Sequence, residues 1–166
     1  MSRSGYDDDC DDPLQQGRWR AAVNSAMRGK RGQAFLREAL AALDAMPDKQ
    51  LVAGRLVVNG WQGPWSGDEV IVGGDVLVDR RGVPMPMGSV CLLGAVGSAR
   101  RMDMSGLDPE DMDSVAPAFG IADAMAREIV YMNDEGGPGA ESPEHRWQRM
   151  RTWIDAMIKK PEAETV

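Results

Sequence analysis

The chain has 166 residues, 43% hydrophobic and 27% charged, which suits one domain with a core and argues against wholesale disorder. A formal charge of −7 argues against general nucleic-acid binding, which needs cations to replace phosphate counterions, and leaves room for a basic partner surface. No apolar run approaches a membrane span, and none follows the N-terminus as in a secretory signal, so no membrane partner and a cytoplasmic location in the host cell are expected.

Charge is uneven: +1 over residues 1–58, −2 over 59–99 and −6 over 100–166. Residues 1–14 read as a disordered acidic leader, because the carboxylates of Asp7, Asp8, Asp9, Asp11 and Asp12 repel one another. They lack calcium-loop spacing and a turn glycine, so a solvated tail able to touch a basic partner is expected rather than a metal site. A single helical domain is expected over 15–160, followed by a tail at 161–166.

Gln15 to Met27 reads as a helix with Trp19, Val23, Ala26 and Met27 on one face. Arg28-Gly29-Lys30-Arg31-Gly32 breaks it, and is the one concentrated basic patch, expected to be a solvated loop. Gln33 to Met46 predicts a helix with a stripe of Phe35, Leu36, Ala39, Leu40, Leu43 and Met46, ended by Pro47. Leu51 to Val58 is apolar and β-branched enough to predict a strand.

Residues 59–87 change character, being rich in Gly, Pro and Trp. Two apolar runs around Gly73-Gly74 predict a small β-hairpin, so this segment reads as an insertion. Trp61 and Trp65 either cap the core or stand exposed as anchors for a partner.

Ser89 predicts the cap of a central helix from Val90 to about Arg101. Gly94 and Gly97 lower its propensity, which makes sense if another backbone packs there. The Gly spacing lacks the pattern and the lysine of a phosphate loop. Asp108-Pro109-Glu110 reads as the start of a short helix stopped by Pro117. A longer helix follows from about Ala118 to Asn133, with Asp123 and Arg127 paired four apart on its outer side. Ser142-Pro143-Glu144 repeats the start grammar for a last helix running to about Lys160. Its stripe is Trp147, Met150, Trp153, Ile154, Met157 and Ile158.

No catalytic set emerges. Cys10 and Cys91 read as two reduced thiols. His145, the single histidine, reads as a surface residue and excludes sites needing two. Asp134 and Glu135 could join other carboxylates around a magnesium ion, though Asn133-Asp134-Glu135 is more simply a helix-end turn bonded to the following Gly-rich loop. No cofactor and no resident metal are expected.

Val90-Cys91-Leu92-Leu93-Gly94-Ala95, then Tyr131-Met132-Asn133-Asp134-Glu135, a Gly-rich link and a helix bearing Trp147 form a recognisable order. It resembles small helical proteins of bacteriophages and prophages with a Cys-x-x-Gly-Ala helix and an aromatic-x-Asn-Asp turn, mostly of unassigned function. The likeness covers the C-terminal half and the helix from Gln33 to Met46, and leaves 59–87 without a counterpart. It implies a phage accessory protein and supplies no catalytic residues.

The expected fold is therefore mainly α within α+β: a bundle of five or six helices with a small β-hairpin insertion. The expected function is non-enzymatic binding of a host protein or protein complex, most specifically inhibition of an antiviral defence system such as a CRISPR effector. The expected contact residues are Trp61, Trp65, Asp7, Asp8, Asp9, Asp134 and Glu135. A self-assembling phage protein, as a homodimer, is the alternative, and a carboxylate-based metal-dependent enzyme a third.

Overall fold

Six helices among the described residues enclose the core, in a computed structural model that describes Ser4, 12–58 and 88–160. For the strands Val70–Val72, Val76–Val78 and Pro84–Pro86 it describes backbone alone.

Helix α1, Pro13–Arg28, starts before the expected boundary, because Asp12 accepts the Leu14 amide and Pro13 sits where no donor is lost. Asp12, Pro13 and Leu14 thus belong to the domain and not to the leader. Helix α2, Lys30–Ala45, follows after Gly29 alone, so the basic stretch is a tight elbow rather than an open loop. Phe35, Leu36, Ala39 and Leu43 of α2 are buried as their spacing requires.

Residues 51–58 are not a strand. They form an extended segment with Leu51, Val52, Leu56 and Val58 buried, and its β pairing is a single bridge, Val57 with Val90. Apolar, β-branched composition reported burial correctly, but the neighbouring chain is the start of a helix and offers no ladder to join. The segment closes a neck: Gly88 donates to Val58 O at 2.5 Å, and Val58 donates to Ser89 O at 2.7 Å. The two ends of the stretch between Val58 and Gly88 therefore lie side by side.

Within that excursion β1 (Val70–Val72), β2 (Val76–Val78) and β3 (Pro84–Pro86) pair antiparallel in the order β1-β2-β3, with Ile71 opposite Leu77 and Leu77 opposite Met85. Gly73-Gly74, on which the expected hairpin turns, lies outside the described residues, as do Trp61 and Trp65. Where side chains are described, the protein is helical.

Helix α3, Leu92–Ala99, is central, with Leu92 to Gly97 all buried and with α2 and α5 packed on it. Its cap is Cys91, whose Sγ accepts the Gly94 amide at 3.4 Å, and not Ser89. The expected close approach at Gly94 is present: a β-carbon there would lie 1.7 Å from Leu56 O.

Helix α4 is Met112–Phe119, capped in position by Asp111. Asp108 stands one turn earlier and accepts the Glu110 amide. Pro117 lies inside α4 and does not end it. The helix stops at Gly120, whose φ of 72° reverses the chain. One lost backbone bond at Pro117 costs less than exposing Val115, Ala116 and Phe119, which are buried there.

Helix α5, Asp123–Glu135, begins later than expected, so Phe119 and Ile121 reach the core from α4 and the turn. The Asp123–Arg127 pair forms at 2.8 Å. Helix α6, Pro143–Met157, is capped by Ser142, which accepts the His145 amide at 3.2 Å. Met150 and Ile154 are buried, but Met157, expected in the buried stripe, is 40% exposed. No helix among the described residues is long and apolar enough to cross a membrane.

Candidate functional site

The densest polar cluster lies where the end of α5 meets the start of α6 and the 51–58 segment. Two side chains organise it, Asn133 and Glu141, both nearly inaccessible to solvent.

Asn133 is the last buried residue of α5, and its amide bonds in both directions. Its Oδ1 accepts the Leu92 amide at 3.1 Å, satisfying a free donor in the first turn of α3. Its Nδ2 donates to Val52 O at 2.9 Å and to Asp134 Oδ1 at 2.8 Å. Its carbonyl accepts from Arg146 Nε at 2.9 Å and from Arg149 Nη2 at 3.2 Å. One residue thus fixes α3, α5, α6 and the extended segment against one another.

Asp134 has a related task. Its Oδ1 accepts the Gly54 amide at 3.2 Å, so it reaches back to the extended segment. Glu135 is exposed at the helix end. The expected partner contact through Asp134 therefore meets a carboxylate already used by the fold. Among the described residues no group of three or more His, Cys, Asp and Glu is placed to hold a metal ion.

Glu141, from the Gly-rich link, accepts a two-pronged bond from Arg149, Nε to Oε2 at 2.7 Å and Nη2 to Oε1 at 2.8 Å. Arg146 Nε lies 3.3 Å from Oε1, and His145 Nδ1 lies 2.6 Å from Oε2. Burial pushes the carboxyl pKa up, but the hydrogen bonds from Arg149 and His145, with the charges of Arg149 and Arg146, outweigh it and hold it below the usual glutamate value. The two arginines also serve α5: Arg149 Nη1 donates to Met132 O at 2.6 Å, so guanidinium charge meets the negative end of that helix. His145 is half exposed, as expected of a surface histidine, yet it leans on this buried carboxylate.

No protein family model matches the chain, and no curated protein or solved structure matches it.

The cluster's chemistry is that of a clasp. Glu141 has both oxygens occupied by cations, Asn133 has its amide oxygen and nitrogen bonded, and the Cys91 thiol is buried as a helix cap. Each of these groups is already bonded within the fold. Sequence reasoning named Asn133 and Asp134 within a turn but missed Glu141, Arg146 and Arg149. The available signal was Glu141 with three basic residues four, five and eight positions later, astride a capped helix start.

Of the other expected contact residues, Asp7, Asp8 and Asp9 lie outside the described residues, like Trp61 and Trp65. The described surface does carry carboxylates in the approach to α4 and its first turn, where Asp103, Asp108, Glu110, Asp111 and Asp113 are all exposed.

Proposed function

We propose that the protein acts by contact and not by turnover, as a non-enzymatic phage accessory protein that binds a host protein complex. Its most specific form is an inhibitor of an antiviral defence complex such as a CRISPR effector. The phage assignment rests on the resemblance carried by the Cys91–Ala95 and Tyr131–Glu135 motifs. The contact role rests on one observation above all, the closed neck at Val58 and Gly88. A fold that shuts behind a Gly-, Pro- and Trp-rich excursion does not need it for closure, and such a segment is free to evolve as a recognition arm. Trp61 and Trp65 are the anchors this reading assigns, with the acidic leader and the exposed carboxylates before α4 steering a basic partner.

The test is affinity capture from a bacterial lysate with two proteins: the full chain, and a chain with 59–87 replaced by a two-residue turn. The expected result is a stoichiometric partner held by the first and released by the second, with loss of any effect on phage restriction. Capture of no partner by the full chain, or equal capture by both, would remove the arm from the account.

A further inference from the structure

We propose that the corner where the α1–α2 elbow meets the end of α6 docks a short acidic segment of a partner protein, carboxylates set around an apolar residue. The surface is additional to the contact role proposed above and uses none of the residues assigned there.

The corner is assembled by the fold. Gln33, buried, donates Nε2 to Met27 O at 2.8 Å and to Met157 O at 3.1 Å, and its Oε1 accepts the Lys159 amide at 2.8 Å. Lys159 Nζ then donates to Arg28 O at 2.8 Å, and Arg37 donates to Lys159 O at 3.2 Å. These bonds bring Lys159 and Lys160 to the α1–α2 junction, where Arg28, Lys30, Arg31 and Arg37 also stand exposed. Six cations from three segments thus share one corner. No carboxylate lies between Arg28 and Arg37, and Glu38, next along α2, is engaged by Arg100. Among the described residues none of the six is paired with a carboxylate, whereas Arg20, Arg100, Arg127, Arg146, Arg149 and Arg151 each are. Like charges held together repel, and the Gln33 bonds keep them there in a chain with 26 Asp and Glu to draw on. An incoming carboxylate relieves that repulsion.

The chemistry of the corner selects its partner. Setting these six cations aside, the net charge of −7 becomes −13, so a long polyanion such as a nucleic acid meets repulsion wherever it extends past the corner. The corner is small: Arg31 and Arg37 are six positions apart on α2, about 9 Å at 1.5 Å per residue. Bases of a single strand would need aromatic faces to stack on, and no aromatic residue is exposed among the described residues. What the corner offers instead is Met157, the last residue of α6, whose carbonyl Gln33 holds and whose side chain is 40% exposed. Cations beside an exposed apolar side chain match a peptide that carries acids beside an apolar residue, in both charge and hydrophobicity.

Fluorescence polarisation on the full chain tests this, with a short labelled peptide of Glu and Asp around one Leu. Three other probes are compared: the same peptide with Gln and Asn for its acids, the same peptide with Ser for its Leu, and a single-stranded oligonucleotide of equal charge. The acidic peptide should bind at low ionic strength and release at about 0.5 M salt, where surface charges are screened within a few ångströms. The amide peptide should not bind, and the Ser peptide and the oligonucleotide should bind more weakly. The combined change Arg28→Glu, Arg31→Glu and Lys160→Glu spares the side chains that hold the corner together, so thermal melting should be unchanged. It should weaken the acidic peptide by about tenfold or more, since each reversal replaces an attraction by a repulsion. Met157→Gln should abolish the preference for Leu over Ser. Arg18→Glu, on exposed α1 away from the corner, should leave binding as in the parent. No binding by the parent overturns the proposal, as does equal binding by the triple variant. Tighter binding of the oligonucleotide would assign the corner to nucleic acid instead. Binding seen only after Asp7, Asp8 and Asp9 are changed to Asn, or Glu162 and Glu164 to Gln, would make the corner a seat for the chain's own acids and overturn it as well.

Discussion

Gly88 gives its amide to the Val58 carbonyl at 2.5 Å, and Val58 gives its own to Ser89 O at 2.7 Å, so the two ends of a long excursion lie side by side. Such a junction is already the base of a turn. Replacing 59–87 by two turn residues such as Asn-Gly should leave the helical domain folded, with stability within about 1 kcal/mol of the parent, since loop-closure entropy changes slowly with length. Urea denaturation followed by helical circular dichroism measures it. Loss of the cooperative transition would mean the excursion is part of the core.

Asn133 carries more of the architecture than any other polar residue described. Asn133→Ala leaves the Leu92 amide and the Val52 carbonyl buried without their partner. Each such group costs about 1–3 kcal/mol, so a loss of about 3 kcal/mol is expected for the pair. Asn133→Asp keeps the acceptor for Leu92 but loses the donor to Val52 and adds a buried charge, and should do no better. Thermal and urea melts of the two variants decide this. A change under about 0.5 kcal/mol, typical of surface positions, would contradict the geometry.

Gly94→Ala tests the packing of α3. The added methyl would fall 1.7 Å from Leu56 O and 3.0 Å from the Val90 β-carbon, and neither neighbour is the loose end of a long side chain. Alanine favours helices by about 1 kcal/mol over glycine, and that gain is overwhelmed by the shift of backbone required. A net loss of about 2 kcal/mol or more is expected in urea denaturation. A stabilised variant would show that the 51–58 segment moves freely.

Periodicity made most of the helical framework legible: the stripes of α2 and α6, the Ser142 cap, the Asp123–Arg127 pair and the demand for a close neighbour at Gly94 all follow from local chemistry. Residues 51–58 misled because burial and strand formation share a composition, and only the tertiary partner decides between them. Pro117 misled because its cost is local, whereas the burial of Phe119 that carries α4 past it is not. The clasp was hidden for another reason. Glu141, Arg146 and Arg149 look like ordinary surface charge in sequence, and only the approach of the α5 carbonyls makes them a buried set. Met157 fits the α6 stripe by spacing but is the last residue of the helix and is 40% exposed.

The acid sensitivity of the clasp gives the last prediction. The folded pKa of Glu141 lies below its ordinary value of 4.5, so between the two values the unfolded chain binds more protons than the folded one. Stability from this group is fully present above about pH 4.5 and is lost as pH falls through the lower, folded value. Glu38 beside Arg100 and Asp44 beside Arg151 are also lowered, chiefly by those hydrogen bonds, but both are substantially exposed and add a gentler slope. Glu141→Gln should therefore do two things. It leaves Arg146 and Arg149 without their buried counterion, costing about 3 kcal/mol at pH 7. It also removes Glu141's own contribution to the acid limb, so the parent and the variant converge as pH falls below 4.5. Denaturation curves from pH 7 down to about pH 3 show both effects. Parallel acid limbs would mean that Glu141 titrates alike in the folded and unfolded chains, and the clasp would then hold by shape and not by charge.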